Sequence, residues 1–357
     1  MNRKVMVAMS GGVDSSAAAL LLKRAGYDIC GMTLSLYCDG EYAPSEDAAD
    51  AKKVCDALGA EHHLFDMRDE FRRCVIDKFA EGYRIGETPN PCVECNRSIK
   101  FSGVLQRAQK LGYDFIATGH YVTSEYDSAA ERWILRRACD ISKDQSYVLY
   151  VLTQDILSKT LFPLGALSKA EIRELAEQSG LATARKRESQ DICFVPDGDY
   201  GEFLVSKLGL EARHGSFVDT DGKILGEHRG HIRYTIGQRR GLGVSADRRI
   251  FVLSKDTDSN RIVLGDEELL FERRMTVRDV NWVSVKAPTA PIKAQVKARY
   301  RHNAQTATIF PGENGVTVEF DQPQRALTPG QAAVFYDGDV VLGGGTICAK
   351  KQGGEER

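Results

Sequence analysis

The residues with the clearest chemical purpose lie near the start of the chain. There the apolar run Val5–Met9 passes into Ser10-Gly11-Gly12-Val13-Asp14-Ser15-Ser16 and then into Ala17-Ala18-Ala19-Leu20-Leu21-Leu22. This order spells strand, tight turn and helix. The glycines allow a turn that side chains would obstruct. The hydroxyls of Ser10, Ser15 and Ser16 join the N–H groups of the helix start in a concave nest suited to a phosphate anion. No lysine stands where a Gly-x-x-x-x-Gly-Lys-Ser/Thr loop needs one, and the spacing is not Gly-x-Gly-x-x-Gly.

Sulfur supplies the second set of candidates. In Glu87-Thr88-Pro89-Asn90-Pro91-Cys92-Val93-Glu94-Cys95-Asn96 the prolines hold the chain extended and two cysteines fall just before a helix. A helix N-terminus favours the thiolate, so the expectation is a lowered pKa and enhanced reactivity for Cys92 or Cys95. One Cys-x-x-Cys serves zinc sites, dithiol pairs and packing alike, and no second copy exists to complete a zinc ribbon. Cys193, in the irregular polar stretch Ser189-Gln190-Asp191-Ile192-Cys193-Phe194, is the third member. Cys30, Cys55, Cys74, Cys139 and Cys348 sit within helix or strand patterns and read as small hydrophobes. Nine cysteines, an odd number in a chain of 357 residues, argue against a secreted disulfide scaffold.

These groups need a frame. After the first helix stops at Gly26, Asp28–Leu36 reads as a strand and Ser45-Glu46-Asp47 opens a helix to Leu58. Glu61–Asp66 reads as a third strand, and Asp66 caps a helix to about Tyr83. A helix over Ser98–Lys110 and a strand over Asp114–Thr118 follow. The alternation predicts an α/β fold with a doubly wound parallel sheet, whose ligands bind at the carboxyl ends of the strands. Ser10, Met32 and Gly119 fall at such ends. Met32 is either core or the lining of an adenine pocket, and Gly119 lets a nucleotide approach the backbone.

Ser168-Lys169-Ala170-Glu171 is a capping box that opens a helix to Gln178, with Gly180 as its stop. A short helical piece covers Tyr200–Leu208. From about Gly215 the helical period disappears. Short β-rich runs replace it: Ser216–Asp219, Arg249–Ser254, Ile262–Leu264, Met275–Trp282, Ile292–Tyr300, Ala307–Phe310, Val316–Phe320, Ala332–Tyr336 and Val340–Gly343. They predict a small β-rich central domain and then a C-terminal β-barrel. The proposed division is 1–209, 210–274 and 275–353, with a flexible tail at 354–357.

A chain of 357 residues has room for two or three domains, and a net charge of −2 requires any nucleic-acid surface to be a local patch. No apolar run reaches membrane length, and Val5–Met9 ends in Gly-Gly rather than a cleavage site, so the expectation is a cytoplasmic protein without a membrane partner. Lys286, Lys293, Lys297, Arg299 and Arg301 meet no acid before Glu313. Lys297, Arg299 and Arg301 are expected to alternate on one strand face along a phosphate backbone, with Tyr300 on the other. A second cluster, Arg229, Arg233, Arg239, Arg240, Arg248 and Arg249, is opposed only by Asp247.

The block Ser10–Ser15 resembles the PP-loop of ATP pyrophosphatases. With it, in order, stand Asn90-Pro91, Cys95-Asn96, Ala117-Thr118-Gly119-His120-Tyr121, Lys143-Asp144-Gln145-Ser146, Ser189–Phe194 and Gly237-Gln238-Arg239. Over almost its whole length the chain resembles the bacterial tRNA-specific 2-thiouridylases. The resemblance implies ATP-dependent thiolation at C2 of the wobble uridine, U34, in tRNAs for Lys, Glu and Gln, with Mg²⁺ accompanying the ATP. It assigns Ala8, Met9, Ser10, Gly11, Gly12, Val13, Asp14, Ser15, Met32 and Gly119 to the nucleotide. It assigns Asn90, Pro91, Cys92, His120, Lys143, Asp144, Gln145, Arg299, Tyr300 and Gln331 to tRNA. It makes Cys193 the carrier of a persulfide from an upstream donor, a cysteine desulfurase or sulfur-relay protein. Cys95 is then the nucleophile that assists release and leaves a Cys95–Cys193 disulfide.

One departure matters. Many members of that family place Asp three residues before the nucleophilic cysteine, and here Cys92 occupies the position. A thiol cannot simply inherit an acid–base role. Cys92, Cys95 and Cys193 are instead candidate ligands of a [4Fe-4S] cluster whose open iron binds hydrosulfide, an alternative to the persulfide relay. Two other classes share parts of the pattern: amide-forming PP-loop ligases, which need no paired cysteines, and an RNA-binding protein whose nucleotide site only regulates its grip.

Overall fold

The apolar run before the first glycine pair forms the centre of a parallel sheet. The computed structural model describes residues 3–37, 46–184, 186, 192–195, 198–245 and 247–350. Ser45, Ser189, Gln190, Asp191 and the expected tail therefore lie outside the described residues. Strand β1 (Lys4–Ala8) is flanked by β2 (Asp28–Ser35) and β4 (Phe115–Thr118), β2 pairs with β3 (His62–Asp66), and β4 with β7 (Thr160–Leu161), all in parallel. The order is β3-β2-β1-β4-β7. Val5, Met6 and Val7 are wholly buried, the mark of a strand covered on both faces. Helices α1 (Val13–Arg24) and α2 (Glu46–Ala57) are among those that flank it.

Two long helical runs, over residues 68–84 and 91–110, follow β3. The second begins seven residues earlier than the sequence reading placed it, so Cys92 and Cys95 lie in its first turns rather than ahead of it. The physical cause is at its start. Asn90 caps the helix by accepting a hydrogen bond from the Cys92 N–H at 3.1 Å, and Pro91 takes the first helical position, where a missing N–H costs nothing. Between Asn96 and Gly103 the run widens to π geometry. The capping box at Ser168–Glu171 forms as expected.

Strands β5 (Val122–Asp127) and β6 (Arg132–Arg137) were not legible in the sequence. They form a hairpin that leaves the parallel sheet and joins the last strand of the chain, Arg136 facing Val340. The central β region holds β8 (Gly215–Val218), the unanticipated β9 (Ile224–His228), β10 (Phe251–Asp256) and β11 (Arg261–Gly265), in the order β10-β11-β8-β9.

The last six strands are β12 (Phe271–Trp282), β13 (Ile292–Lys297), β14 (Gln305–Gly312), β15 (Gly315–Arg325), β16 (Ala332–Asp337) and β17 (Val340–Ile347). They run β12-β15-β14-β13-β16-β17, and a β12–β17 pairing closes them into a barrel. Strand β13 ends at Lys297, where its ladder to β16 stops at Val334. Residues 298–302 instead turn, with the His302 N–H donating to the Arg299 carbonyl at 3.1 Å. Lys297, Arg299 and Arg301 therefore do not share a strand face, which corrects the sequence reading.

The barrel and the nucleotide-type sheet share one core. Met6, Cys30 and Ile116 pack in the same buried cluster as Tyr147, Tyr150, Val334, Tyr336 and Val341. Burying side chains of this size stabilises by about 1.5–3 kcal/mol each. Their hydroxyls are satisfied across the boundary: Tyr147 donates to the Ala332 carbonyl at 2.8 Å, and Tyr336 lies 3.2 Å from the Ser146 hydroxyl. Among the described residues no helix is long and apolar enough to cross a membrane.

Candidate active site

The turn after β1 is built as an anion cradle. Gly11 adopts a left-handed φ of 67°, and a side chain there would collide with the Asp47 carbonyl. The Ser10 N–H donates to the Ser15 hydroxyl at 3.1 Å. The Ser15 and Ser16 hydroxyls donate back to the Gly12 carbonyl at 3.1 and 2.9 Å. No side chain caps α1, which leaves its first-turn N–H groups to face a guest. Gly119 closes the opposite wall. A Cβ there would sit 2.8 Å from the Asp14 carbonyl carbon and the Ser15 nitrogen, so only glycine lets β4 pass this close.

Asp14 is the cradle's own carboxylate, and the sequence did not reveal its partners. Lys169 donates to its two oxygens at 2.7 and 2.8 Å, and the Tyr121 hydroxyl donates at 2.6 Å. Met32 is wholly buried among Met6, Cys30 and Phe101. Its carbonyl accepts the Met9 N–H at 2.7 Å, so its backbone rather than its thioether borders the turn.

The thiols gather about Lys100. Cys92 and Cys193 are exposed, while Cys95 is 5% exposed, and all three are free. Burial pushes the Cys95 thiol up to about 12, with the Lys100 ammonium opposing and the neighbouring Cys193 and Cys92 adding to the rise. Cys92 and Cys193 are also raised, first by desolvation of the thiol by the protein around it, and Lys100 again pulls the other way. This reverses the expectation of a lowered pKa. Loss of water around the sulfur outweighs the half-charge of one helix end. Lys100 escaped the sequence reading because a spacing of five residues from Cys95 lies well round an ordinary helix; the π-wide segment brings the two together.

Among the described residues no three or more His, Cys, Asp or Glu side chains are grouped so as to hold a metal ion. His120 connects the thiol helix with the cradle: it follows Gly119, and its ring lies 5.6 Å from that of Phe101, next to Lys100. Burial drives its pKa down to about 3, leaving a neutral imidazole with Nδ1 2.9 Å from the Thr118 hydroxyl.

The residues assigned to tRNA fall into two overlapping groups. Tyr300 is 47% exposed; partial burial raises its hydroxyl's pKa first, and the charges of Asp144, Cys92, Lys143 and Arg301 lie close enough to act on it as well. Lys297 lies 5.4 Å from its ring and 5.5 Å from that of Tyr147. Asp144 is also engaged within the protein, as are Gln145, Arg299 and Gln331. Asp144 accepts from the Ser146 hydroxyl at 2.7 Å, and the Gln145 carbonyl oxygen accepts the Tyr121 N–H at 2.9 Å. Arg299 donates to the Ile236 carbonyl at 3.0 Å and to the Thr328 hydroxyl, bracing the central region against the barrel. Gln331 donates to the Thr88 carbonyl at 2.6 Å.

Comparison with known proteins gives a consistent picture. Residues 3–197 match the tRNA methyl transferase HUP domain, residues 202–266 the tRNA methyl transferase PRC-barrel domain, and residues 272–347 the aminomethyltransferase beta-barrel domain. The chain is 45% identical to the tRNA-specific 2-thiouridylase MnmA of Caldicellulosiruptor saccharolyticus, covering 97% of this chain and 99% of that one. It is 47% identical to the MnmA of Heliobacterium modesticaldum, over 97% of this chain and 93% of the relative. It is also 47% identical to the MnmA of Trichormus variabilis, over 97% and 98%. An NMN synthetase structure from Francisella tularensis covers 59% of this chain and 79% of its own at 16% identity and a TM-score of 0.34, a likeness too slight to bear on function. With its anion cradle, its gathered thiols and near full-length similarity to these relatives, the chain belongs to the family of tRNA-specific 2-thiouridylases.

Proposed function

We propose that this chain is an ATP-dependent sulfurtransferase that replaces the C2 oxygen of the wobble uridine, U34, in tRNAs for Lys, Glu and Gln. One observation carries the reading. The cradle and the thiols, distant in sequence, are joined through Gly119, His120 and Phe101: Gly119 abuts the Asp14–Ser15 peptide, and the His120 ring lies 5.6 Å from Phe101 on the thiol helix. We assign ATP phosphates to Ser10–Ser15 and the α1 N-terminus, with Ala8, Met9, Met32 and Gly119 bordering the nucleotide. Asp14 is already paired with Lys169, so a Mg²⁺ ion would ride on the phosphates and neutralise departing pyrophosphate. We assign residues 1–209 to the nucleotide, 210–274 to the link and 275–353 to the holding of tRNA.

The chemistry follows from the leaving group. The uracil C2 oxygen is amide-like and leaves poorly; its attack on the α-phosphate expels pyrophosphate and converts it to departing AMP. Cys193, exposed, receives a terminal sulfur from a cysteine desulfurase or relay protein. That sulfur attacks C2, forming the new C–S bond as the C–O bond to AMP breaks. The Cys95 thiolate then attacks Cys193 Sγ, releasing the sulfur on uridine and forming a Cys95–Cys193 disulfide that a cellular thiol reduces. Lys100 favours the thiolate that this step needs. We assign the entry of an extruded base and its phosphates to Tyr300, Lys143 and the loop Asn90–Cys92, a displacement costing a few kcal/mol.

An anaerobic assay with ATP, unmodified tRNA and a persulfide donor tests the reading. The expected result is 2-thiouridine with equal AMP and pyrophosphate, abolished by Cys95→Ser and by Cys193→Ser. AMP and pyrophosphate release that persists in both variants with no 2-thiouridine formed would instead indicate an amide-forming ligase. Iron analysis of the same sample decides between the thiol relay and a cluster.

A further inference from the structure

The loop that leads into the thiol helix is held largely from outside its own sheet. Within its own region, the Glu87 N–H donates to the Gly82 carbonyl at 2.9 Å. The barrel supplies the rest of the grip. Arg278 on β12 reaches the two Glu87 carboxylate oxygens at 3.1 and 3.2 Å. The Thr88 N–H donates to the Pro329 carbonyl at 2.8 Å, and Gln331 donates to the Thr88 carbonyl at 2.6 Å. The central region adds Lys255, which donates to the Tyr234 carbonyl at 3.1 Å and approaches the Glu87 carbonyl at 3.5 Å. Gly330 has a left-handed φ of 85°, and a Cβ there would meet Glu87 Cβ and the Thr88 nitrogen at 2.9 Å.

Both ends of this grip have a meaning for the reaction. Two residues beyond Thr88, Asn90 caps the helix at the Cys92 N–H, so the loop's position sets where Cys92 and Cys95 stand. At the other end, Thr328 precedes Pro329 and takes a hydrogen bond from Arg299, the neighbour of the exposed Tyr300. The Glu87 side chain is 12% exposed and that of Arg278 37%, so the pair is sheltered on the loop side and reachable on the barrel side.

We propose that Glu87 and Arg278 are positioning residues. Their ion pair, with the Thr88–Pro329 hydrogen bond, carries the seating of tRNA on the barrel to the first turn of the thiol helix. The proposal rests on the thiolation reading above. Neither residue touches the reacting atoms; they act by fixing the helix that bears the thiols, and displacement of a reacting group by about 1 Å costs up to about a hundredfold in rate.

The test uses the full chain. Glu87→Gln keeps the shape of the side chain and Arg278→Lys keeps its charge, and melting curves confirm folding before kinetics are read. With saturating tRNA, each variant is expected to lower kcat about tenfold or more, while its Kd values for tRNA and ATP stay within about twofold of wild type. Iodoacetamide labelling of the exposed Cys92 supplies a readout independent of turnover. Addition of tRNA changes its rate in the wild type, and that response is lost in both variants. Wild-type kcat in the variants, a loss confined to the tRNA Kd, or an undiminished tRNA response of Cys92 overturns the proposal. Should the wild type itself make no 2-thiouridine, the thiolation reading falls instead, and the labelling response still reports on the strut.

Discussion

Gly119 lies against the peptide that joins Asp14 to Ser15, with room for a hydrogen and none for a methyl group. Both neighbours are backbone at the start of α1, so neither can rotate away. Gly119→Ala is expected to push α1 from β4, at a cost of about 1–3 kcal/mol in stability. ATP affinity, read by calorimetry, should fall more than tRNA affinity; equal ATP affinity in the variant would remove Gly119 from the cradle.

Lys169 and Asp14 form the sheltered ion pair of the cradle, their side chains 11% and 29% exposed. Removing the ammonium leaves the carboxylate with the Tyr121 hydroxyl alone among the partners given above. Lys169→Met is expected to destabilise by about 2 kcal/mol, below the range for a fully buried pair because Asp14 is partly solvated. Urea denaturation measures this, and AMP formation measures whether the loop keeps its shape.

Cys95 is held as a thiol, its pKa pushed up to about 12 by burial. A raised pKa means less thiolate at every pH below it, so alkylation of Cys95 in the resting enzyme should lag that of a free cysteine at pH 8. The rate should still climb beyond pH 10, and Lys100→Met should slow it further. A plateau near pH 8.5, measured by mass-resolved labelling, would contradict this environment.

Arg299 braces two regions through the Ile236 carbonyl and the Thr328 hydroxyl, and its Nε is buried without a partner among the described residues. Arg299→Ala is expected to cost about 2 kcal/mol of stability from lost charged hydrogen bonds. It should also weaken tRNA binding while leaving ATP affinity unchanged. Titration of tRNA over a salt series separates the two effects: a lost phosphate contact lowers the salt slope by nearly one, whereas a lost brace lowers affinity at constant slope.

Much of this protein was open to reading in its residues alone. Val5–Met9 followed by Ser10–Ser16 has one economical local structure, because apolar continuity, glycine and hydroxyl spacing act over a few residues. The capping box at Ser168 and the β-rich text after Gly215 are local in the same way. The start of the thiol helix was misplaced because Pro91 breaks a helix anywhere except its first turn, and only the Asn90 cap shows that this is the first turn.

What tertiary structure decided is which distant groups share an environment. The β5–β6 hairpin carries no strong period; its two strands pair over Val122–Asp127 and Arg132–Arg137, and only the fold brings Arg136 to Val340 of β17. Lys169 meets Asp14, and Arg278 meets Glu87, across separations that no local pattern encodes. The thiol pKa values shift upward rather than downward for the same reason. A helix end can be read from sequence, but the loss of solvent around Cys95 depends on everything packed over it, and desolvation is the larger effect.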